Sequence, residues 1–267
     1  MSASLTAWVD GVGLLGPGLP DWPAAAQVLC GGVPYVREPT VLPALQCLPA
    51  AERRRTGTVV RLALTVGLEA AVQAGAAPAA LPAVFSSSGG DGPNCHEICQ
   101  ALASADRQLS PTRFHNSVHN AAAGYWGIAT GATAASSAVC AYDASFAAGL
   151  IEALTQAVVD ETAVLLIAYD GGYPEPLRST RPIPDAFGVA LLLSPGQQPG
   201  SLARLSACLT GALSERLADP QLEALRTQVP AARALPLLRR LARREAGAAV
   251  IEYLEDQRLE VQVSACH

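Results

Sequence analysis

The residues with the types and spacing to do chemistry are concentrated between Phe114 and Ala157. A polar cluster of His115, Asn116, Ser117, His119 and Asn120 follows Phe114 and leads into a small-residue segment that also carries Tyr125 and Trp126. An apolar run from Ala134 to Ala141 reads as a buried strand, with the thiol of Cys140 inside it. A sharp break at Tyr142-Asp143 precedes the helical pattern of Ser145 to Val159. Strand, tight turn and buried helix is an arrangement that presents a nucleophile, because the helix N-terminus stabilises developing negative charge. Ser145 has no identifiable His or Asp partner for triad chemistry. Asp143 or Ser145 suits a helix N-cap.

Three other clusters invite a chemical reading and are better explained without one. Cys95-His96 and Cys99 have the one-turn spacing of a helical metal pair, but no second ligand pair has recognisable spacing, so buried apolar thiols are expected and no metal. The turn FSSSGGDG is glycine-rich but lacks the Lys-Ser/Thr ending of a phosphate loop. Arg53-Arg54-Arg55, like the helix carrying Arg239, Arg240, Arg243 and Arg244, reads as a solvated basic face, with docking of an acidic partner as the alternative.

Composition narrows the class. Half of the 267 residues are hydrophobic and 15% are charged, which describes a chain with a large core rather than a disordered one. All the basic residues are Arg, and the net charge of −5 argues against a nucleic-acid binder. No apolar run reaches the roughly 18 residues of a membrane span. No signal peptide is evident, and an odd number of scattered cysteines, 7, fits reduced thiols in a cytoplasm.

The elements follow in order. Residues 6–14 alternate as a strand and stop at Gly16-Pro17-Gly18; Asp21-Trp22-Pro23 opens a short helix to Cys30; residues 31–50 are loop. A long helix runs from Pro49 to the cap at Gly75. Strands are expected at Leu81–Ser87, Ala163–Ala168, Phe187–Ser194 and Ala203–Leu209. Beyond these lie helices at Pro220–Gln228 and Leu235–Ala246, a further helical turn or two at 248–254, and an edge strand at Leu259–Val263. No linker cuts the chain, so one domain spans 1–267, with a mostly helical extension from 197 to 267.

This ordered series resembles the N-terminal half of the β-ketoacyl synthases. VDGVGLLGPG with Trp22, EAAVQAG, FSSSGGDG, SVHNAAAGYWGIATG with Asn120, Gly124 and Gly131, AYDGGYPEP and DAFGVALLLSP carry the resemblance across residues 6–196. It implies the thiolase-like α/β fold with a mixed sheet. It also implies that the segment around Asn120 lines a dimer interface. A synthase bears a nucleophilic Cys at the elbow and two catalytic His in its second half. Here His267 is the one His beyond residue 119. Counting forward from Gly131 puts Cys140 at the nucleophile position. Counting back from Gly149-Leu150-Ile151-Glu152-Ala153 puts the elbow at Asp143, Ala144, Ser145 and Phe146, and helix capping favours this second count.

Without imidazoles to stabilise an enolate, Cys140 alone could not run decarboxylative condensation. The pattern resembles the chain-length factors, inactive subunits that pair with an active ketosynthase, and above all those of aryl polyene pigment pathways. That resemblance implies a ketosynthase partner, an acyl carrier protein bearing the growing chain, and no cofactor. It makes Phe114, His115, Asn116, Ser117, His119, Asn120, Tyr125 and Trp126 candidates for interface or tunnel. An acyltransferase or minimal ketosynthase using Cys140, and a homodimeric scaffold, are the alternatives.

Overall fold

The computed structural model describes residues 4–266; His267 lies outside them. In chain order the elements are β1 (Leu5–Leu15), α1 (Trp22–Leu29), α2 (Ala50–Arg53), α3 (Thr58–Gln73), β2 (Ala83–Ser86), α4 (Gly92–Ala103), α5 (Pro111–His115) and α6 (Ala121–Thr130). There follow β3 (Ser136–Val139), α7 (Ser145–Val159), β4 (Val164–Asp170), α8 (Leu177–Thr180), β5 (Phe187–Ser194), β6 (Ala203–Thr210), α9 (Pro220–Gln228), α10 (Leu235–Arg243), β7 (Gly247–Glu252) and β8 (Arg258–Ala265). The strands form one mixed sheet in the order β3-β2-β4-β5-β1-β6-β8-β7. β2 runs parallel to β3 and β4, and the other pairings are antiparallel.

The alternation of side chains along the central strands divides the core in two. In β4, Val164, Leu166 and Ala168 face one helical layer, and Leu165, Ile167 and Tyr169 face the other. β5 repeats this with Val189, Leu191 and Leu193 against Ala190 and Leu192. Strands buried on both faces lose their polar alternation, which is why these segments are continuous apolar runs. α7, α10 and α1 cover the first face; α3 and α6 cover the second. α3 lies unusually close to β1 because Gly11 and Gly13 present no side chain to it. Glu69 of α3 accepts from Leu14 N at 2.8 Å and Trp22 N at 2.7 Å, fixing where β1 turns into α1. Asp21 caps α1 as expected, accepting from Ala24 N.

Several expected elements differ. The long helix from Pro49 is broken between Arg54 and Gly57: Thr56 Oγ1 donates back to Arg53 O, and Gly57 takes an extended conformation with Asp91 packed against it. The strand expected over Ala134–Ala141 is the four-residue β3, at the sheet edge and half exposed rather than buried. The 248–254 segment, expected to be helical, is strand β7. α10 ends at Arg243 with Arg244 in the left-handed region, and Gly247 at φ +142 redirects the chain into pairing with β8. β8 is therefore interior, between β6 and β7, not an edge. The region from 197 contributes three strands alongside its helices, so it extends the sheet instead of standing apart as a mostly helical tail.

The basic face expected on the α10 segment is only half solvated: Arg239 and Arg240 pair with Glu215, whereas Arg243, whose Nε donates to Leu29 O at 3.2 Å, and Arg244 are exposed. Cys95 and Cys99, expected to be buried, are exposed on α4. Among the described residues no helix is long and apolar enough to cross a membrane.

Candidate functional site

β3 and α7 meet in a strand-to-helix elbow whose apex is Tyr142. Its φ of +52° places a bulky residue in the left-handed region, the strained geometry by which such turns push one side chain outward. The turn closes on Ser145, whose Oγ accepts from Ala141 N at 3.0 Å and donates to Tyr142 O at 2.7 Å. Ser86 Oγ donates to Ser145 O at 2.6 Å and pins the elbow to β2. The apex thus falls one residue before the expected Asp143–Phe146 span and two after Cys140. Cys140 lies just past β3 instead of inside a strand; its exposed thiol donates to Ser88 O at 3.4 Å.

The side chains around the apex hold it in place. Asp143, expected to cap α7, leaves that role to the backbone of Ala144, which has no side-chain cap. Its carboxylate turns instead to Arg181 at 2.7 Å and Arg233 at 3.3 Å. The Arg181 guanidinium stacks over the Tyr142 ring, 3.7 Å from its centroid. Where a nucleophile would stand, there is a phenol ring roofed by an arginine that is itself held by a carboxylate.

Asp170, at the end of β4, supports this region from below. Its carboxylate accepts from Ser88 N at 2.8 Å, Ser88 Oγ at 2.6 Å and Ala231 N at 2.8 Å. It therefore ties the Ser87-Ser88 turn, which touches Cys140 and His119, to the segment carrying Arg233. Burial pushes its pKa up to about 6, against the lowering effect of the Ser88 hydrogen bonds. The folded chain then holds a proton that the unfolded chain releases near pH ~4. The associated stability is complete below about pH 4 and is lost as pH rises through about 6. Measured against wild type, Asp170→Asn should be most destabilising at about pH 4 and below. By pH 7.5 it should have recovered about 2–3 kcal/mol, read from urea unfolding at each pH. A gap independent of pH would show that Asp170 does not titrate there.

The α5–α6 segment separates the predicted interface residues into two groups. Phe114, His115, Ser117 and Asn120 are exposed, and His119 is half-buried with Nε2 3.1 Å from Ser87 O. Asn116, Tyr125 and Trp126 point inward. Asn116 Nδ2 donates to Arg55 O at 2.8 Å, Tyr125 donates to Asn116 Oδ1 at 3.2 Å, and Trp126 packs edge-on against Phe85. These three are core and cannot meet a partner without repacking. A shallow depression of about 490 Å³ lies among Phe114, His115, Val118, Asn120 and Gly124. Phe114, Val118 and Ile128 are exposed large apolar side chains on this side.

Tyr142, Arg181 and Arg233 are the residues that sequence reasoning missed. Arg181 comes from 38 residues beyond Asp143, in a loop, and no local pattern marks it.

A mixed sheet between helical layers with a strand-to-helix elbow defines a thiolase-like ketosynthase fold. A sequence profile of the β-ketoacyl synthase N-terminal domain matches residues 26–252, and the chain belongs to that family. Among solved structures it is similar to a chain of the ketosynthase in complex with its chain length factor from Xenorhabdus doucetiae. The identity is 25% and the TM-score 0.74, covering 97% of this chain and 99% of that one. It is also similar to the ishigamide ketosynthase/chain length factor, at 13% identity and TM-score 0.73, over 98% of this chain and 100% of that one. A third is the structure of a type II polyketide synthase acyl carrier protein in complex with its ketosynthase bound to the hexaketide. There the identity is 12% and the TM-score 0.76, over 99% of this chain and 100% of that one. The last two speak to the fold alone. No curated protein is detectably similar in sequence.

Proposed function

We propose that this chain is a chain-length factor. It pairs with an active β-ketoacyl synthase and shapes the tunnel in which a carrier-bound acyl chain grows, in a pathway of the aryl polyene type. The observation that carries the reading is the elbow. In a chain that belongs to the synthase family, the apex holds Tyr142 under Arg181, a phenol without the thiol that carries an acyl chain as a thioester. The end-to-end likeness to a chain of a ketosynthase–chain length factor complex supports it.

The surface around β3 suits the partner. β3 ends the sheet, so one side of its backbone has no strand partner among the described residues, and Ser136 and Ala138 are exposed on it. Phe114, Val118 and Ile128 add apolar area on neighbouring elements, of the kind that monomers seldom leave uncovered. Pairing of a ketosynthase strand along β3 would satisfy the edge, and Phe114 would then stand in the tunnel wall.

Co-expression with the ketosynthase encoded nearest to it, with only this chain tagged, tests the reading. A one-to-one complex is expected, with Cys140→Ala leaving product formation intact and Phe114→Ala lengthening the products. A chain that condenses acyl thioesters by itself and loses that activity in Cys140→Ala would replace the factor with an enzyme.

A further inference from the structure

We infer that Tyr142 is an anchor of the ketosynthase interface, so that the position of the lost nucleophile serves to hold the partner. The inference rests on the chain-length-factor reading and goes beyond it by giving the elbow a task.

Three independent features of the elbow point the same way. The backbone of residue 142 is in the left-handed region, where glycine or asparagine would be comfortable and a tyrosine is strained. The residue is nevertheless 60% exposed, so core burial does not account for it. It is also held rigid: Arg181 stacks on one face, and Asp143 fixes Arg181 and is itself shared with Arg233. A rigid, projecting aromatic loses little conformational freedom when it is buried, and tyrosine and arginine are the side chains that dominate binding energy at interfaces.

Position supplies the occupant. Tyr142 follows the last residue of β3 by three positions, on the strand whose outer edge has no partner among the described residues. A protein that adds a strand there arrives beside the elbow. The ring then sits where that protein must pass.

The test is the affinity of this chain for the purified ketosynthase, with the unfolding midpoint of each variant measured alone. Tyr142→Gly removes the ring and relieves the backbone. It should weaken pairing by about 30-fold or more, as loss of an interface hot spot does, without lowering the midpoint. Tyr142→Phe should pair within about 2-fold of wild type. If the glycine variant folds poorly, Tyr142→Asn, which also tolerates this backbone, carries the same measurement. Glycine or asparagine variants that bind as tightly as wild type would overturn the anchor while leaving the pairing intact. A wild-type chain that does not bind the ketosynthase would overturn both the anchor and the chain-length-factor reading.

Discussion

Gly13→Ala is expected to destabilise the fold severely. A Cβ on Gly13 would fall 2.0 Å from Val66 O and 2.9 Å from Val66 C, both backbone atoms of α3. A flexible side chain could swing aside from such a contact; a helix backbone cannot. To make room, α3 would have to retreat from β1, opening the layer formed by Val59, Leu62, Val66 and Ala70 against the sheet. Overpacking of this kind exceeds the usual 1–3 kcal/mol, and we expect a loss above about 4 kcal/mol. That is a large share of the ~5–15 kcal/mol that holds a domain together. Gly11→Ala should behave alike, since its Cβ would lie 2.1 Å from Ala70 O. Gly196→Ala is the control, because nothing lies within 4 Å of its added carbon and the change should cost less than about 0.5 kcal/mol. Soluble yield and circular dichroism report the outcome. A Gly13→Ala protein with the wild-type urea midpoint would mean that α3 sits farther from β1 than described.

The second large effect is expected at Arg226. Its side chain is 4% exposed and is held by two carboxylates. Nε and Nη2 donate to Glu223 at 2.8 and 2.7 Å in a bidentate pair, and Nη1 donates to Glu252 of β7. The hydrogen bonds from Arg226 hold the Glu223 carboxyl below its ordinary range. Together they fasten α9 to the far edge of the sheet. Arg226→Met would fill much of the same volume while removing the cation that Glu223 and Glu252 share. Breaking a buried pair from one side costs about 3–5 kcal/mol. Because Glu223 and Glu252 retain 23% and 22% exposure, they can regain some water, and about 3 kcal/mol is the expected loss in urea unfolding. The exposed pair Arg55–Glu52 offers the contrast, where Arg55→Ala should cost below about 1 kcal/mol. A loss at Arg226 as small as that would show the trio to be solvated in solution.

Much of the fold was legible from the chain alone because its signals are local. The apolar runs Ala163–Ala168 and Phe187–Ser194 read as buried strands, and as β4 and β5 they are the two that divide the core. Asp21 before Pro23 and Gly75 after α3 mark helix ends through hydrogen bonds and backbone angles that need no distant partner. The ordered series of glycines and strands was enough to suggest the ketosynthase family. Where local signals were ambiguous, the reading failed. Residues 248–254 carry too few residues to tell a helix turn from a strand, and only pairing with β8 made them β7. β8 itself looks like an edge until β7 folds back over it.

The site divides along the same line. Residue order alone located an elbow between β3 and α7 and excluded a complete triad. Its register stays open between Cys140 and the Asp143–Phe146 span: capping favours the second, yet both Asp143 and Ser145 suit a cap, and neither places the bend itself. Tertiary structure decided it: Asp143 is drawn from the helix end by Arg181 and Arg233, which arrive from distant segments, and the chain bends at Tyr142 instead. Burial likewise separated Tyr125 and Trp126, which belong to the core, from Phe114 and His115, which face outward, although all four lie in one short stretch. A cap or a strand period is written in neighbouring residues. Which carboxylate finds which guanidinium, and which face of a helix is covered, depends on contacts between residues far apart in sequence, and those exist only once the sheet has closed.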